Sequence, residues 1–160
     1  MKRKILSVCC TALLVFSMPF FSTRQVQAAT DGPILDGSVL TNEDESIGYD
    51  TKITKGVDLL AGYSKVVRLG PGKIYAGGTT IAAHEVESVQ VGVMIERAQE
   101  GDTEWEFYEG WQKENKNTDR VGANRTLEVE GGYYYRVRSY HAANNDVSSS
   151  FTNGVYVEEP

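Results

Sequence analysis

Cysteine is almost absent from this sequence, and the little there is lies at one end. Of 160 residues only two are cysteines, Cys9 and Cys10. A disulfide framework, a cysteine-ligated zinc site and a cysteine nucleophile are therefore excluded for everything that follows residue 10. Proline is scarce as well, with four residues, and the 16 glycines are near the average for a chain of this length. Collagen-like and low-complexity classes are excluded on the same grounds.

Histidine is equally scarce, which removes most of the usual means of acid–base catalysis. Only His84 and His141 are present, and we expect both to be surface residues at strand ends. The sequence has no Gly-x-Ser-x-Gly motif, no His-Glu-x-x-His motif and no phosphate-binding glycine loop with lysine. Alternate acids such as Glu104 and Glu106 would suit a glycosidase, but they are typical of the solvated side of a strand. We predict that the protein is not an enzyme and binds no cofactor or metal.

The first 28 residues have the layout of a secretory signal peptide. Three basic residues at positions 2–4 precede an apolar run over residues 5–21, and a polar stretch then ends in short side chains at Val26 and Ala28. Serine, threonine and proline interrupt the apolar run, which is at the short limit for a membrane span. We predict cleavage after Ala28 and secretion, which would remove both cysteines.

Basic residues are outnumbered, and this limits the kinds of partner. The chain has 16 Lys and Arg against 22 Asp and Glu, a net charge of −6. The predicted signal peptide holds four of the basic residues and none of the acidic ones, so the mature chain would carry −10. Such a charge opposes binding to phosphate backbones and anionic lipids. We predict an extracellular protein or glycan as partner, with no nucleic-acid binding and no stable membrane insertion after cleavage.

The remaining chain divides into an acidic lead-in and one β-rich domain. Residues 29–50 carry many acids and turn residues, and they show little periodicity. We predict that this segment is a mobile arm. Residues 51–160 read as a single β-sandwich domain, because strand patterns recur there between strong turn signals.

Period-two alternation is the main evidence for strands. It is clearest over residues 86–98, where apolar residues occupy the odd positions from 89 to 95. Further strands are predicted at 64–69, 73–83, 104–112, 125–130, 133–141 and 149–158. We expect a bulge at Gly77-Gly78 and a polar loop at residues 114–119. About seven strands without a helical period predict an all-β fold, an antiparallel β-sandwich.

The segment from Val129 to Arg138 has the sequence VEGGYYYRVR and carries the most structural information. It resembles fibronectin type III and related immunoglobulin-like domains, which have an apolar residue, a glycine-containing turn and then a tyrosine corner. The resemblance extends over the C-terminal half and implies a sandwich fold in which Tyr135 is a buried structural corner. Gly131 departs from the pattern, since many members of the family have proline there.

The chain as a whole resembles small secreted proteins of Gram-positive, clostridia-like bacteria. The shared features are the signal peptide, the segment LGPGKIYAGG at residues 69–78 and the segment at residues 131–137. That group has no assigned activity, so the resemblance implies no catalytic residue.

Alternation along the strand at residues 133–141 also predicts a candidate partner-binding face. Tyr134, Arg136, Arg138 and Tyr140 should point outwards, and Tyr156 of the last strand should join them. Tyrosine and arginine carry much of the energy at protein interfaces. The same side chains also cover each other on exposed sheets without any partner.

Trp111 is a secondary candidate, since an exposed ring near a strand end can stack on a sugar. Trp105, with Phe107 as its i+2 neighbour, is predicted to lie in the core. The sequence therefore predicts a secreted, non-catalytic binding or adhesion-like module for a protein or a cell-wall glycan. The alternative is a secreted effector, such as a bacteriocin-like protein or a protease inhibitor, and a small hydrolase is a third reading.

Overall fold

The computed structural model describes residues 32–50 and 56–160, and these residues form nine β-strands and no helix. The all-β class predicted from the sequence is confirmed. The described residues accordingly contain no helix that could cross a membrane. The predicted signal peptide and its cleavage after Ala28 lie outside the described residues.

The nine strands differ greatly in length. In chain order they are β1 (Ile34–Leu35), β2 (Ser38–Thr41), β3 (Glu45–Tyr49), β4 (Leu59–Gly70), β5 (Lys73–Ala98), β6 (Glu106–Glu128), β7 (Tyr133–Ala143), β8 (Asp146–Phe151) and β9 (Gly154–Val157). The long hairpin formed by β5 and β6 dominates the fold.

All nine strands belong to one connected, mixed sheet that curls into a half-barrel. The strand order is β1-β2-β9-β7-β5-β4-β3, with β6 paired to β5 and β8 paired to β7. The β2–β9 pair is parallel, and the other pairs are antiparallel. The arrangement therefore differs from the two antiparallel sheets of the predicted sandwich, because the strands form one sheet that includes a parallel pair.

The curl arises where β5 changes partners. Residues 73–82 of β5 pair with β4, whereas residues 89–98 pair with β7. Between Ile81 and Val86 the register with β6 shifts, and such irregularities bend a strand. The bend brings β4 across the interior against β7 and β8.

The core lies inside this curl and follows the predicted alternation. Val89, Val91, Val93 and Ile95 are all at most 1% exposed, because the odd positions of β5 face inwards. Ile74 of β5 and residues of the other strands complete the core, chiefly Val66, Val121, Val137, Val155 and Val157.

The prediction of a mobile arm at residues 29–50 is wrong for its described part, residues 32–50. This part forms β1, β2 and β3, which pair within the sheet. Leu35 and Leu40 pack with Ala98 into a second hydrophobic cluster. The two buried leucines help to dock the segment, but they are too few among the surrounding acids to form a periodic pattern in the sequence.

Two local predictions in the β5–β6 hairpin are also corrected. Residues 114–119 belong to β6 and are not a loop, because their backbone continues the ladder while most of their side chains face solvent. The ladder passes through Gly77 and Gly78 without a bulge. These glycines serve close packing: a Cβ on Gly78 would lie 2.4 Å from Ser139 Oγ.

Tyr135 has the contacts expected of a structural corner. Its side chain is fully buried, and its hydroxyl donates a 2.8 Å hydrogen bond to the carbonyl oxygen of Glu130, five residues upstream. Burial raises the pKa of the Tyr135 hydroxyl to about 12. The bond holds the turn before β7 against the strand.

We expect Tyr135→Phe to lower the free energy of unfolding by about 1–3 kcal/mol, because the carbonyl of Glu130 would lose its partner in a partly buried site. Urea denaturation measures the change. Tyr134→Phe is the matched control on the opposite face of β7 and should cost almost nothing. Equal losses in the two variants would contradict the assigned role.

Candidate functional site

The five residues of the predicted partner-binding face lie on one side of the sheet but differ sharply in exposure. Tyr140 is 58% exposed, whereas Arg136 is 1% exposed. Tyr134, Arg138 and Tyr156 are half-buried. The predicted face is thus an open surface only around Tyr140, because the N-terminal strands and Trp105 cover the other end.

Arg136 is the clearest correction, since it is an internal anchor and not a surface residue. Its Nε contacts Glu96 Oε2 at 2.6 Å and its Nη2 contacts Asp36 Oδ2 at 2.8 Å. Its Nη1 donates to Ser38 Oγ at 3.0 Å, and the ring of Trp105 covers the guanidinium at 4.5 Å. The hydrogen bond from Arg136 lowers the pKa of Asp36. Arg136 therefore fastens β1 and β2 to the sheet.

Three further residues of the predicted face are held by internal contacts. Arg138 Nη2 binds Asp36 Oδ2 at 2.8 Å, on the exposed side of the same ion-pair cluster. The rings of Tyr134 and Tyr156 pack 5.1 Å apart. Burial raises the pKa of Tyr134. These side chains stabilise the contact between the N-terminal strands β1 and β2 and the rest of the sheet.

Around Tyr140 the outer face of β5, β6 and β7 forms an uncovered depression, here called the open groove. It consists of two adjoining cavities of about 450 and 520 Å³. Both cavities share Gly92, Gln112 and Tyr140. The outer-face residues that line it are Gln90, Gly92, Met94, Phe107, Gly110, Gln112, Glu114, Tyr140 and Ala142.

Glycines make the floor of the open groove. Gly92 stands in register between Gln112 of β6 and Tyr140 of β7. The nearest atom to a Cβ built on Gly92 is Tyr140 Cβ at 3.6 Å, so the depression exists because this position has no side chain. Gly110, opposite Met94, extends the floor towards Phe107.

Two exposed aromatic rings border the open groove. Tyr140 is 58% exposed and Phe107 is 62% exposed. Phe107, the i+2 neighbour of Trp105, lies on the outer face, because Ile95 pairs with Glu109 and Glu96 pairs with Phe107, which leaves one extra residue in β6. This bulge turns Phe107 to the outer face. Trp105 packs on the second hydrophobic cluster.

Hydrogen bonds orient the polar side chains at the end of the open groove that contains Gln90 and Glu114. Ser88 Oγ donates to Glu114 Oε1 at 2.6 Å, and Gln90 Nε2 donates to Ser88 Oγ at 3.1 Å. Lys116 also forms an ion pair with Glu114. This contact is the largest cause of the lowered pKa of the Glu114 carboxyl. The carboxylate is therefore ionised and balanced by a neighbouring ammonium group.

Trp111, the secondary candidate, is a wall of the site and not a free ring. It lies opposite Val93, so its ring packs against the core, with the guanidinium of Arg125 stacked on it at 4.7 Å. Its Nε1 is buried and has no hydrogen-bond partner among the described residues. Trp111 is also among the residues that line the second of the two cavities.

The two histidines have different environments. His84 is exposed, and its Nε2 lies 3.1 Å from Asp58 Oδ1. The prediction of a surface position is wrong for His141, which is fully buried between Thr80 Oγ1 at 2.9 Å and Ser150 Oγ at 2.8 Å. Its odd position on β7, in phase with Tyr135, was the signal that could have placed it inside.

Neither histidine lines the open groove. Burial lowers the pKa of His141 to about 4, so this buried imidazole is neutral at pH 7. Within residues 32–50 and 56–160, no group of three or more His, Cys, Asp or Glu side chains is placed to hold a metal ion.

Compared with known proteins, the chain matches no family model, no curated protein and no solved structure at a significant level.

Proposed function

We propose that this protein is a secreted, non-catalytic binding module whose contact surface is the open groove. The observation that carries the proposal is the pair of exposed rings, Tyr140 and Phe107, on either side of a glycine floor. Single exposed apolar residues are ordinary on a protein surface. Exposed rings that border a concavity with converging polar groups are typical of ligand sites.

The contrast between the two ends of the outer face supports this choice of surface. At one end the protein covers its own arginines and tyrosines with β1, β2 and Trp105. At the other end Tyr140 and Phe107 remain uncovered by any described residue. The open groove is thus the part of the predicted face that is available to a partner.

Secretion is part of the proposal. It is supported by the basic, apolar and polar regions of residues 1–28 and by the lack of cysteine after residue 10. We also propose that the C-terminal strands share the immunoglobulin-like or fibronectin type III architecture, as a one-sheet variant. The corner bond from Tyr135 to Glu130 supports that relationship.

We expect Tyr140→Ala to weaken partner binding at least about ten-fold, because the mutation removes the largest exposed ring of β7 from the groove. The test is a pull-down from culture medium and cell-wall fractions, followed by titration of the captured partner. The melting temperature should hardly change, since the ring contributes little buried surface.

Tyr49→Ala is the matched control, because Tyr49 is also an exposed tyrosine, 65% exposed, on the distant edge strand β3. It should leave binding unchanged. If Tyr140→Ala binds every captured partner as tightly as the parent protein does, the open groove is ordinary solvated sheet and the proposed function is wrong.

A further inference from the structure

We infer that the open groove binds an uncharged glycan, a short linear run of pyranose sugars. This inference rests on the proposed function and adds the chemical class of the ligand. It draws on four features of the groove: its shape, its aromatic borders, its amides and its charge balance.

The shape of the groove suits an elongated ligand that lies flat on the sheet. The two cavities join through Gly92, and their volumes of about 450 and 520 Å³ each fall in the range of small-molecule sites. The groove crosses three strands, from Phe107 on β6 to Ala142 on β7. A chain of flat rings fills such a shallow channel better than a compact ligand does.

The aromatic borders suit the faces of sugar rings. A pyranose exposes C–H groups on its faces and hydroxyls around its rim. Tyr140 and Phe107 offer flat apolar surfaces, and the phenol of Tyr140 adds a polar edge that can bond a hydroxyl. Because the floor between them is glycine, a ring can approach the backbone closely.

The polar groups of the groove match the hydroxyls of a sugar. Each hydroxyl is both a donor and an acceptor, and a side-chain amide offers both functions in one plane. Gln90 and Glu114 are already oriented through Ser88. No hydrogen bond among the described residues occupies the amide of Gln112, which stands beside Gly92. Gln112 is thus free to bind.

The charges around the groove favour a neutral ligand. Glu114 is paired with Lys116, and Arg138 is paired with Asp36 and Glu96. Lys113 also lines the first cavity, but it stands in register with Val91, whose side chain faces the core. An anionic polymer would meet the carboxylate of Glu114 in the groove and a protein of net charge −6 around it.

The backbone of the groove argues against an extended peptide as ligand. Peptides often bind by adding a strand to a free sheet edge. The centre of the floor is made by β5, which is paired on both sides, to β6 and to β7. Its backbone N–H and C=O groups are used in these ladders. The edge strand β6 borders the groove and pairs only with β5. A peptide that lies on the centre of the groove would therefore find no backbone partners there.

The direct test is calorimetric titration of the protein purified from culture medium. The uncharged probes are cellohexaose, chitohexaose and mannohexaose, and polygalacturonate is the anionic probe. We expect saturable binding of at least one uncharged hexasaccharide, with a change in tryptophan fluorescence because Trp111 lines the groove, and no binding of polygalacturonate.

The variant Gly92→Val tests whether the hexasaccharide binds in the open groove. A Cβ at Gly92 has ordinary contact distances, so the variant should fold, while the added methyl groups fill the floor. Binding should fall at least about ten-fold. Gly122→Val is the matched control on β6, where the nearest atom to a Cβ is Thr79 Oγ1 at 3.4 Å. This control should bind like the parent protein.

The inference is overturned if none of the three hexasaccharides binds, if polygalacturonate binds equally well, or if Gly92→Val binds like the parent. The proposed function is tested separately. If Tyr140→Ala no longer binds a captured protein partner and no hexasaccharide binds, the proposed binding function is supported and the glycan inference is wrong. If Tyr140→Ala binds every ligand as tightly as the parent protein does, both the proposed function and the glycan inference are wrong.

Discussion

Replacement of Arg136 by methionine should lower the free energy of unfolding by about 3–5 kcal/mol, because it deprives the largely buried carboxylate of Glu96 of its shorter ion pair. The side chain of Glu96 is only 17% exposed, and it would lose its 2.6 Å contact to Arg136 Nε. Asp36, at 64% exposure, would be resolvated more easily. Most of the loss should therefore come from Glu96 and from detachment of β1 and β2.

Urea denaturation measures this loss, and hydrogen exchange of residues 34–41 locates it. Arg138→Met is the matched control, since Arg138 contacts the same two acids but is 32% exposed. It should cost less than about 1 kcal/mol. A second variant, Arg136→Met with Glu96→Leu, should recover part of the stability, because it also removes the largely buried carboxylate of Glu96. Equal losses for Arg136→Met and Arg138→Met would show that Arg136 is not the anchor.

Acidification from pH 6.5 towards pH 4 should remove about 3 kcal/mol of stability through His141 alone. Burial lowers the pKa of His141 from 6.5 to about 4 in the folded protein. The unfolded chain therefore takes up the proton first as the pH falls. The contribution is fully present above pH 6.5 and is lost as the pH approaches 4.

The surroundings of His141 explain why its charged form is excluded. Thr80 and Ser150 bind the two ring nitrogens, and Gly62 packs directly on the ring. The nearby charge of Asp50 raises the pKa of His141, but by less than burial lowers it. No solvent reaches the ring to stabilise a cation, since His141 is fully buried.

The measurement is the free energy of unfolding at pH 7, 6, 5 and 4 for the parent protein and His141→Gln. The variant should be less stable at pH 7 but should lose less stability on acidification. His84→Gln is the control, because His84 is exposed and its removal should leave the pH profile unchanged. If His141→Gln and the parent protein lose the same free energy of unfolding on acidification, His141 is not the source of the pH dependence. Asp36, whose pKa lies below 3.8, loses its contribution only at lower pH.

The candidate site shows where prediction from the sequence succeeds and where it stops. Alternation along β7 correctly placed Arg136, Arg138 and Tyr140 on one face. It did not show which of them stays exposed, because exposure depends on what lies on top of the face. Asp36 lies 100 residues before Arg136 in the chain, and no local pattern links them. The exposure of Phe107 could not be predicted for a similar reason, since the one extra residue in β6 reverses the faces of the strand.

By itself the sequence determined the all-β class, the inward side of β5 and the position of Tyr135, because these follow from the two-residue period and local turn chemistry. Only the tertiary structure decided the curl of the sheet, the docking of residues 32–50, the burial of His141 and the open groove. Each of these depends on contacts between distant strands. Two buried leucines and one arginine decide the docking, and two glycines decide the open groove. Such small numbers leave no periodic signal in the sequence.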